Sequence, residues 1–466
     1  MTALPTAMSF VTQAWLARRF DRIGLGEYHA TSLFIIVLTT IVLFGFPAGA
    51  SQRIATLEEG DAARARPAKE TSFALAGLFG IGLALAGFAL WPYFARAFAV
   101  PVGPAPLVIA LAMVGSVLLT FAQHVHLAEL RMLSVAALAV TQPAGVALGI
   151  ALTYVGLELD PATLAGIGFV AAGAASAGWL LADGLMPRAH RVELASIARR
   201  AVPASIALYP TVVTGWIDRA IIGVVVGPSA LGAFVAASAL VDAVQRFARG
   251  FSSFSVPAYA RLAADPALAR RVLESHLRVT AALFVLAGSV FIAAGSGMLS
   301  LIFGEGFGIA GTTLRLLAIA LVPLGVALVV GSHAVGMDPL RASSRIIVLL
   351  IPMHLVVGTV LTALFSIAGT ALANVVVWSI GALLYVSQAQ RAHAALPWRP
   401  LLHIAGVAVP LAVASWYIGL QPVHWALRAL ASLLVAVPVV IVILIRDEER
   451  RLLSRLVIRG GVTGER

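Results

Sequence analysis

The chain has 466 residues, 60% hydrophobic and 11% charged, with a mean hydropathy of +0.98 and a formal net charge of +11. A soluble domain carries about 25% charged residues, so these proportions exclude a water-soluble globular protein and leave an all-α polytopic membrane protein. The absence of cysteine excludes disulfides and thiolate metal centres; the cationic excess must first be sorted by loop, because membrane orientation alone demands cytoplasmic Lys and Arg.

Apolar runs of roughly 20 residues, enough to cross about 30 Å of hydrocarbon, recur from end to end. They fall near residues 4–20, 29–51, 72–95, 105–126, 132–156, 162–185, 201–226, 230–256, 279–303, 308–333, 345–365, 369–389, 401–419 and 425–445, numbered here as spans 1 to 14. Span 1 is diluted by Pro5, Thr12 and Gln13 and closed by Arg18, Arg19 and Arg22, so it reads as short and late-starting. No positive residue precedes Arg18 and no cleavage site follows an apolar core, so no removable signal peptide is expected.

Arginine collects in alternate turns. Arg53, Arg64, Arg66 and Lys69 follow span 2; Arg188, Arg191, Arg199 and Arg200 follow span 6; Arg261, Arg270, Arg271 and Arg278 follow span 8; Arg446, Arg450, Arg451, Arg455, Arg459 and Arg466 lie in the tail. The other turns, around Glu158 and Asp160, Pro228, Glu305 and residues 366–369, hold almost no cation. The positive-inside rule then puts both termini in the cytoplasm.

Span 7 carries Asp218 and Arg219 near its outer end, with Thr211 and Thr214 on the Asp218 side and Pro210 as a kink. Asp218 reads either as a coupling acid or as half of an interfacial ion pair. Span 8 is the most informative. Asp242, Arg246 and Arg249 sit within an otherwise apolar stretch, residues 231–256, and each charge at bilayer depth costs roughly 2.5–3.5 kcal/mol on insertion scales. At 100° per residue, Ser238, Asp242, Gln245, Arg246, Arg249 and Ser253 share an arc of about 100°, as the lining of a polar cavity would. The competing reading is structural, with Asp242 and Arg246 as an intrahelical pair and Arg249 snorkelling. In span 10, Arg315 lies about two turns from the outer end and either snorkels or lines a cavity. His124 and His333 read as interfacial residues. No phosphate loop, metal-like His/Glu setting or outer turn large enough for a catalytic face is present, so neither cofactor nor metal is expected.

Landmarks repeat at about 208 residues: Arg53 with Arg261, His124 with His333, Pro143 with Pro352. This spacing predicts a duplicated six-helix unit, residues 1–200 and 201–396, with a cleft between the two bundles, followed by two extra helices and a basic tail over 397–466.

The segments LARRFDRIGLGEYHATSLF, GFPAGASQRIA, DRAIIGVVVGPSALGAFVAASALVDAVQRFARGFSSFSVPAYARL and LIFGEGFGIAGTTLRLLAIA resemble the O-antigen and exopolysaccharide flippases of the multidrug/oligosaccharidyl-lipid/polysaccharide exporter superfamily. The resemblance covers about residues 16–390, and the short span 1 departs from the family pattern. It implies two six-helix bundles facing a cavity, and a transporter, not an enzyme, that moves an undecaprenyl pyrophosphate-linked oligosaccharide from the inner to the outer leaflet of a bacterial plasma membrane. By motif position it implies Arg18 or Arg19, Arg53, and Arg246 or Arg249 as cavity cations. Arg219 joins them as a candidate, Asp218 and Asp242 are candidate coupling or structural acids, and Ser238, Gln245, Ser253, Thr211 and Thr214 are candidate sugar contacts. Expected partners are the lipid-linked substrate, membrane lipids and the polysaccharide polymerase and export machinery, with no nucleic acid. A multidrug cation antiporter of the same superfamily is one alternative, although such cavities favour carboxylates; a membrane oligosaccharide polymerase or ligase is the other.

Overall fold

The computed structural model describes residues 3–58, 62–102, 105–262, 265–337, 343–393 and 398–445, with the side chains of 3, 62–63, 105, 202–215, 250–258, 260–261, 266, 335–337, 343–345, 347, 391–393 and 398–399 outside the described set. Every long element is a helix: α1 (Ala3–Leu43), α2 (Phe46–Glu58), α3 (Ala62–Ala97), α4 (Ala105–Ala128), α5 (Met132–Thr153), α6 (Pro161–Ala182), α7 (Arg191–Val225), α8 (Pro228–Arg261), α9 (Pro266–Phe303), α10 (Gly311–Met337), α11 (Ser343–His393), α12 (Trp398–Leu420) and α13 (Trp425–Val439). A short 3₁₀ segment (Glu305–Ala310) precedes α10 and a π turn (Val440–Leu444) extends α13.

Eleven stretches among the described residues are long and apolar enough to cross a bilayer. Two of them, Leu4–Leu43 and Val348–Gln390, are each broken by one residue in the left-handed region, Asp21 (φ 61°) and Ser366 (φ 56°), so each holds two spans. With α7 added, all fourteen expected spans are accounted for. The break at Asp21 has a local cause. Its Oδ1 accepts from the backbone N–H of Ile23 at 2.7 Å and of Gly24 at 3.4 Å, which caps the second half of α1.

Span 2 is placed differently from its sequence expectation. The helix stops at Leu43 instead of running to residue 51, because Phe44 (φ 36°) and Gly45 (φ 74°) turn the chain and α2 then starts beside Pro47. Proline suits the first helical turn, where its missing N–H costs nothing. Two further helix starts show the same logic. Asp160 Oδ1 accepts from Thr163 N at 2.7 Å ahead of Pro161 in α6, and Asp265 Oδ1 accepts from Leu268 N at 3.0 Å ahead of Pro266 in α9.

The chain divides into two compact units. Unit 1 is Met1–Ala236 with Thr362–Ile367; unit 2 is Ala237–Leu361 with Ala368–Arg466. In unit 1, α4 packs on α3 and α6, α5 on α6, and α2 on α7, around buried Ile54, Ala68, Ala122, Val125, Leu138 and Leu180. In unit 2, α9 is the hub for α10, α12 and α13, around buried Leu277, Val285, Val330, Tyr385, Ile404 and Ala436.

Close helix crossings in unit 1 rest on glycine. A Cβ at Gly173 of α6 would collide with Gly115 Cα of α4, and one at Gly115 with the Phe169 carbonyl. Where α1 meets the start of α8, a Cβ at Gly26 would strike the Pro228 carbonyl and one at Gly232 the Arg22 carbonyl. Lipid offers no hydrophobic drive between helices, so backbone approach of this kind supplies the association through dispersion. Substituting Gly173→Val is expected to destabilise unit 1 by about 1–3 kcal/mol or more, since neither backbone can yield; a lowered thermal midpoint of the detergent-purified protein checks this.

Candidate anion path

α8 is continuous from Pro228 to Arg261, so the polar stripe expected from sequence is carried on a regular helix. Ser238 is buried, Asp242 and Gln245 are half-buried, and Arg246 and Arg249 are exposed. Arg249 Nη2 donates to Gln245 Oε1 one turn back at 3.1 Å, and its guanidinium lies within electrostatic reach of both Asp242 and Arg246. Two guanidiniums and one carboxylate within two turns leave a net positive face, and the carrying stretch, Pro228–Arg249, is the least apolar of the eleven. The stripe therefore offers charge-assisted, fork-shaped donors suited to phosphate oxygens. Ser253, Thr211 and Thr214 lie outside the residues whose side chains are described.

The unit 1 candidates separate into two groups. Arg19 is pinned at the end of the first half of α1: Nε donates to Thr153 Oγ1 at 3.3 Å, and the guanidinium lies 5.3 Å from the Phe20 ring centroid and 5.4 Å from that of Tyr154. Arg18 beside it is exposed. In α7, Asp218 and Arg219 are half-buried, and Arg219 lies 5.0 Å over the Trp216 ring. Arg53 sits in α2, beyond the far end of the helix spanning residues 22–43, which at 1.5 Å per residue is roughly 30 Å long. Arg19 and Arg53 are therefore not brought together.

Arg53 also has a partner that sequence reading missed. Its Nε and Nη2 donate to the two carboxylate oxygens of Glu193 at 2.7 and 2.9 Å, a bidentate fork joining α2 to α7. This holds the Glu193 carboxyl below the usual carboxylate range. Beside it lies a wider set of ion pairs. Lys69 of α3 bridges Glu58 of α2 and Glu129 after α4; Arg131 bonds Asp183 at 2.8 Å and Glu129 at 3.2 Å; Glu70 bonds Arg66 at 3.2 Å and His190 at 3.1 Å. Burial pushes the Glu129 carboxyl up, but the His126 ring, Lys69 and Arg131 outweigh it and hold it down at about 2. Ligand atoms of His126, Glu129 and Asp183 lie within 4.8 Å of one another, a spacing a metal ion could bridge, yet Lys69 and Arg131 already supply the positive charge there. Arg53, expected as a cavity cation, and the cations around it thus tie the ends of α2, α3, α4, α6 and α7 together. Glutamate in the first turn of α7, at Glu193, was the available signal.

Residues 1–263 match the polysaccharide biosynthesis protein family. The chain belongs to that family. Over 95% of its length it superposes on 96% of a structure described as lipid II flippase MurJ, inward closed conformation, with a TM-score of 0.75 at 12% identity. It also superposes, over 84% of its length, on 95% of an inward-facing multidrug resistance MATE family transporter of the MOP superfamily (TM-score 0.64, 14% identity). A third likeness, over 84% of its length and 94% of the other chain, is to a Pyrococcus furiosus MOP superfamily transporter described as having a binding pocket of reverse polarity (TM-score 0.54, 13% identity). No curated protein matches the chain significantly. This polysaccharide biosynthesis family member is thus a multi-pass membrane protein with the fold of the MurJ and MATE transporters, as the sequence resemblance implied.

Proposed function

We propose that this family member flips a lipid-linked oligosaccharide, carried on a polyprenyl pyrophosphate, from the inner to the outer leaflet of a bacterial plasma membrane, with both termini in the cytoplasm. The observation that carries the reading is the net cationic stripe of Arg246 and Arg249 on an otherwise apolar helix, in a chain belonging to a polysaccharide biosynthesis family. The two guanidiniums would hold the pyrophosphate, with Arg18, Arg19 and Arg219 as further cations. Ser238 and Gln245 would meet sugar hydroxyls, together with Thr211, Thr214 and Ser253, and the isoprenoid tail would stay in lipid. No bond breaks in this cycle; the six-helix units, residues 1–200 and 201–396, would alternate access, and the product would pass to a polymerase at the outer leaflet.

Membrane potential is the expected driving force. Each elementary charge crossing the field is worth about 2.3 kcal/mol per 100 mV, so a negative interior favours export of the pyrophosphate and draws the empty cationic path back inward. In proteoliposomes loaded with lipid-linked oligosaccharide, flipping is expected to accelerate with an imposed inside-negative potential. Indifference to potential, with dependence only on a proton or sodium gradient, would transfer the coupling role to Asp218 or Asp242.

A further inference from the structure

Arg315 of α10 and Arg428 of α13 converge on one carbonyl in unit 2. Arg428 Nη1 donates to Gly419 O at 2.7 Å and Arg315 Nη2 to the same oxygen at 3.4 Å. Arg315 Nε also donates to Ile292 O at 3.0 Å, and Arg428 Nε to Val423 O at 2.9 Å. The arrangement is built, not incidental. Trp425 seats its ring where a Cβ on Gly297 of α9 would stand, which fixes α13 against α9 and places Arg428 one turn later. Gly419 lets α12 approach the Ile292 and Ala293 carbonyls, and a Cβ there would come within 3.3 Å of Arg315 Nη2.

Capping of α12 accounts for only part of this. A helix C-terminus carries about half an elementary negative charge, which one guanidinium satisfies. Here two half-buried guanidiniums share it, and neither pairs with a carboxylate among the described residues. Each guanidinium has five N–H donors, so several on each remain for another acceptor.

An apolar cleft begins at the same place. It has a volume of about 340 Å³ and is lined by Ile319, Ala412, Val413, Trp416, Tyr417 and Leu420. Trp416 forms its roof beneath Arg315, whose guanidinium lies 5.2 Å from the ring centroid. Val413, Tyr417 and Leu420 are 65%, 68% and 62% exposed, so the cleft opens on the outside of unit 2. An uncompensated double cation at the head of an open apolar groove is complementary to one kind of molecule, an anionic head on a hydrocarbon chain.

We propose that Arg315, Arg428 and the α10–α12 cleft form a site for an anionic glycerophospholipid of the bilayer, its phosphodiester on the two guanidiniums and one acyl chain along Ile319, Val413 and Tyr417. The site is separate from the α8 stripe and stands without the flippase reading. On the side that the arginine distribution makes external, its occupant is an outer-leaflet lipid that fastens α12 and α13 to α10.

The test is binding of phosphatidylglycerol to the full-length protein in detergent, read by native mass spectrometry, with phosphatidylcholine and a long-chain polyprenyl monophosphate as the other probes. The expected result is retention of phosphatidylglycerol over phosphatidylcholine, weakened on the order of 10- to 100-fold in R315Q/R428Q through loss of charge-assisted bonds. Should that variant fail to fold, V413W fills the cleft with both arginines intact and is expected to reduce the same binding. Unchanged phosphatidylglycerol affinity in the variant that folds, equal affinity for phosphatidylcholine, or binding of the polyprenyl phosphate alone would each overturn the assignment.

Discussion

Replacing Arg246 and Arg249 together with glutamine is expected to abolish transport while leaving the protein folded and inserted. Glutamine has nearly the helix propensity of arginine, so α8 should persist through the substitution. Removing two charges from this helix also lowers the cost of placing that stretch in the membrane. What disappears is the pair of fork-shaped cations. A hydrogen bond to a charged group contributes about 1.5–3 kcal/mol, so losing both lowers the flipping rate at limiting substrate on the order of a hundred- to ten-thousand-fold. Lysine at both positions should fall between, because its point charge attracts a pyrophosphate without matching two oxygens at once. Gln245, which already accepts from Arg249 at 3.1 Å, would face an uncharged amide donor in the glutamine variant and a charged ammonium in the lysine one. The measurement is flipping of lipid-linked oligosaccharide by reconstituted protein, with membrane abundance as the control. Full activity of the glutamine variant would return the stripe to a structural role.

The fourteen spans were legible because transfer from water to lipid acts on every residue of a span, and about 20 of them add to an unmistakable signal. The same signal is blind to where a helix ends. α3 begins at Ala62, α7 at Arg191 and α9 at Pro266, about ten residues before their apolar runs, because polar helical turns continue outside the hydrocarbon. The turn at Phe44 and Gly45 interrupts an apolar run without changing its hydropathy, so hydropathy alone carries span 2 past the true end of the helix. The α8 stripe was legible since helical periodicity needs only local spacing. The partners of Arg53, Arg131 and Arg315 were not: they lie 140, 52 and 104 residues away and become visible only when helices pack. Arginine at a helix end signals topology and ion pairing alike, and only the position of the nearest acid separates the two.

That distinction makes Arg53 the most informative single position in unit 1. Arg53→Gln is expected to leave the nearly buried Glu193 carboxylate without its bidentate donor, and Glu193→Gln to leave the guanidinium without its acceptor. Each should cost about 1–3 kcal/mol, the penalty for stranding one partner of such a bond. The exchanged pair R53E/E193R rebuilds the contact between α2 and α7 with its charges reversed and should recover most of the lost thermal stability. If Arg53 acts as the fork that holds these helices, the exchanged protein also recovers flipping. If Arg53 instead meets the pyrophosphate, a glutamate in its place repels the substrate, and stability returns without transport. We expect the first outcome, because both carboxylate oxygens of Glu193 already take the Nε–Nη2 edge of the guanidinium and offset its charge. Thermal midpoints and flipping rates of the two single variants and the exchange, measured together as a double-mutant cycle, separate the two roles.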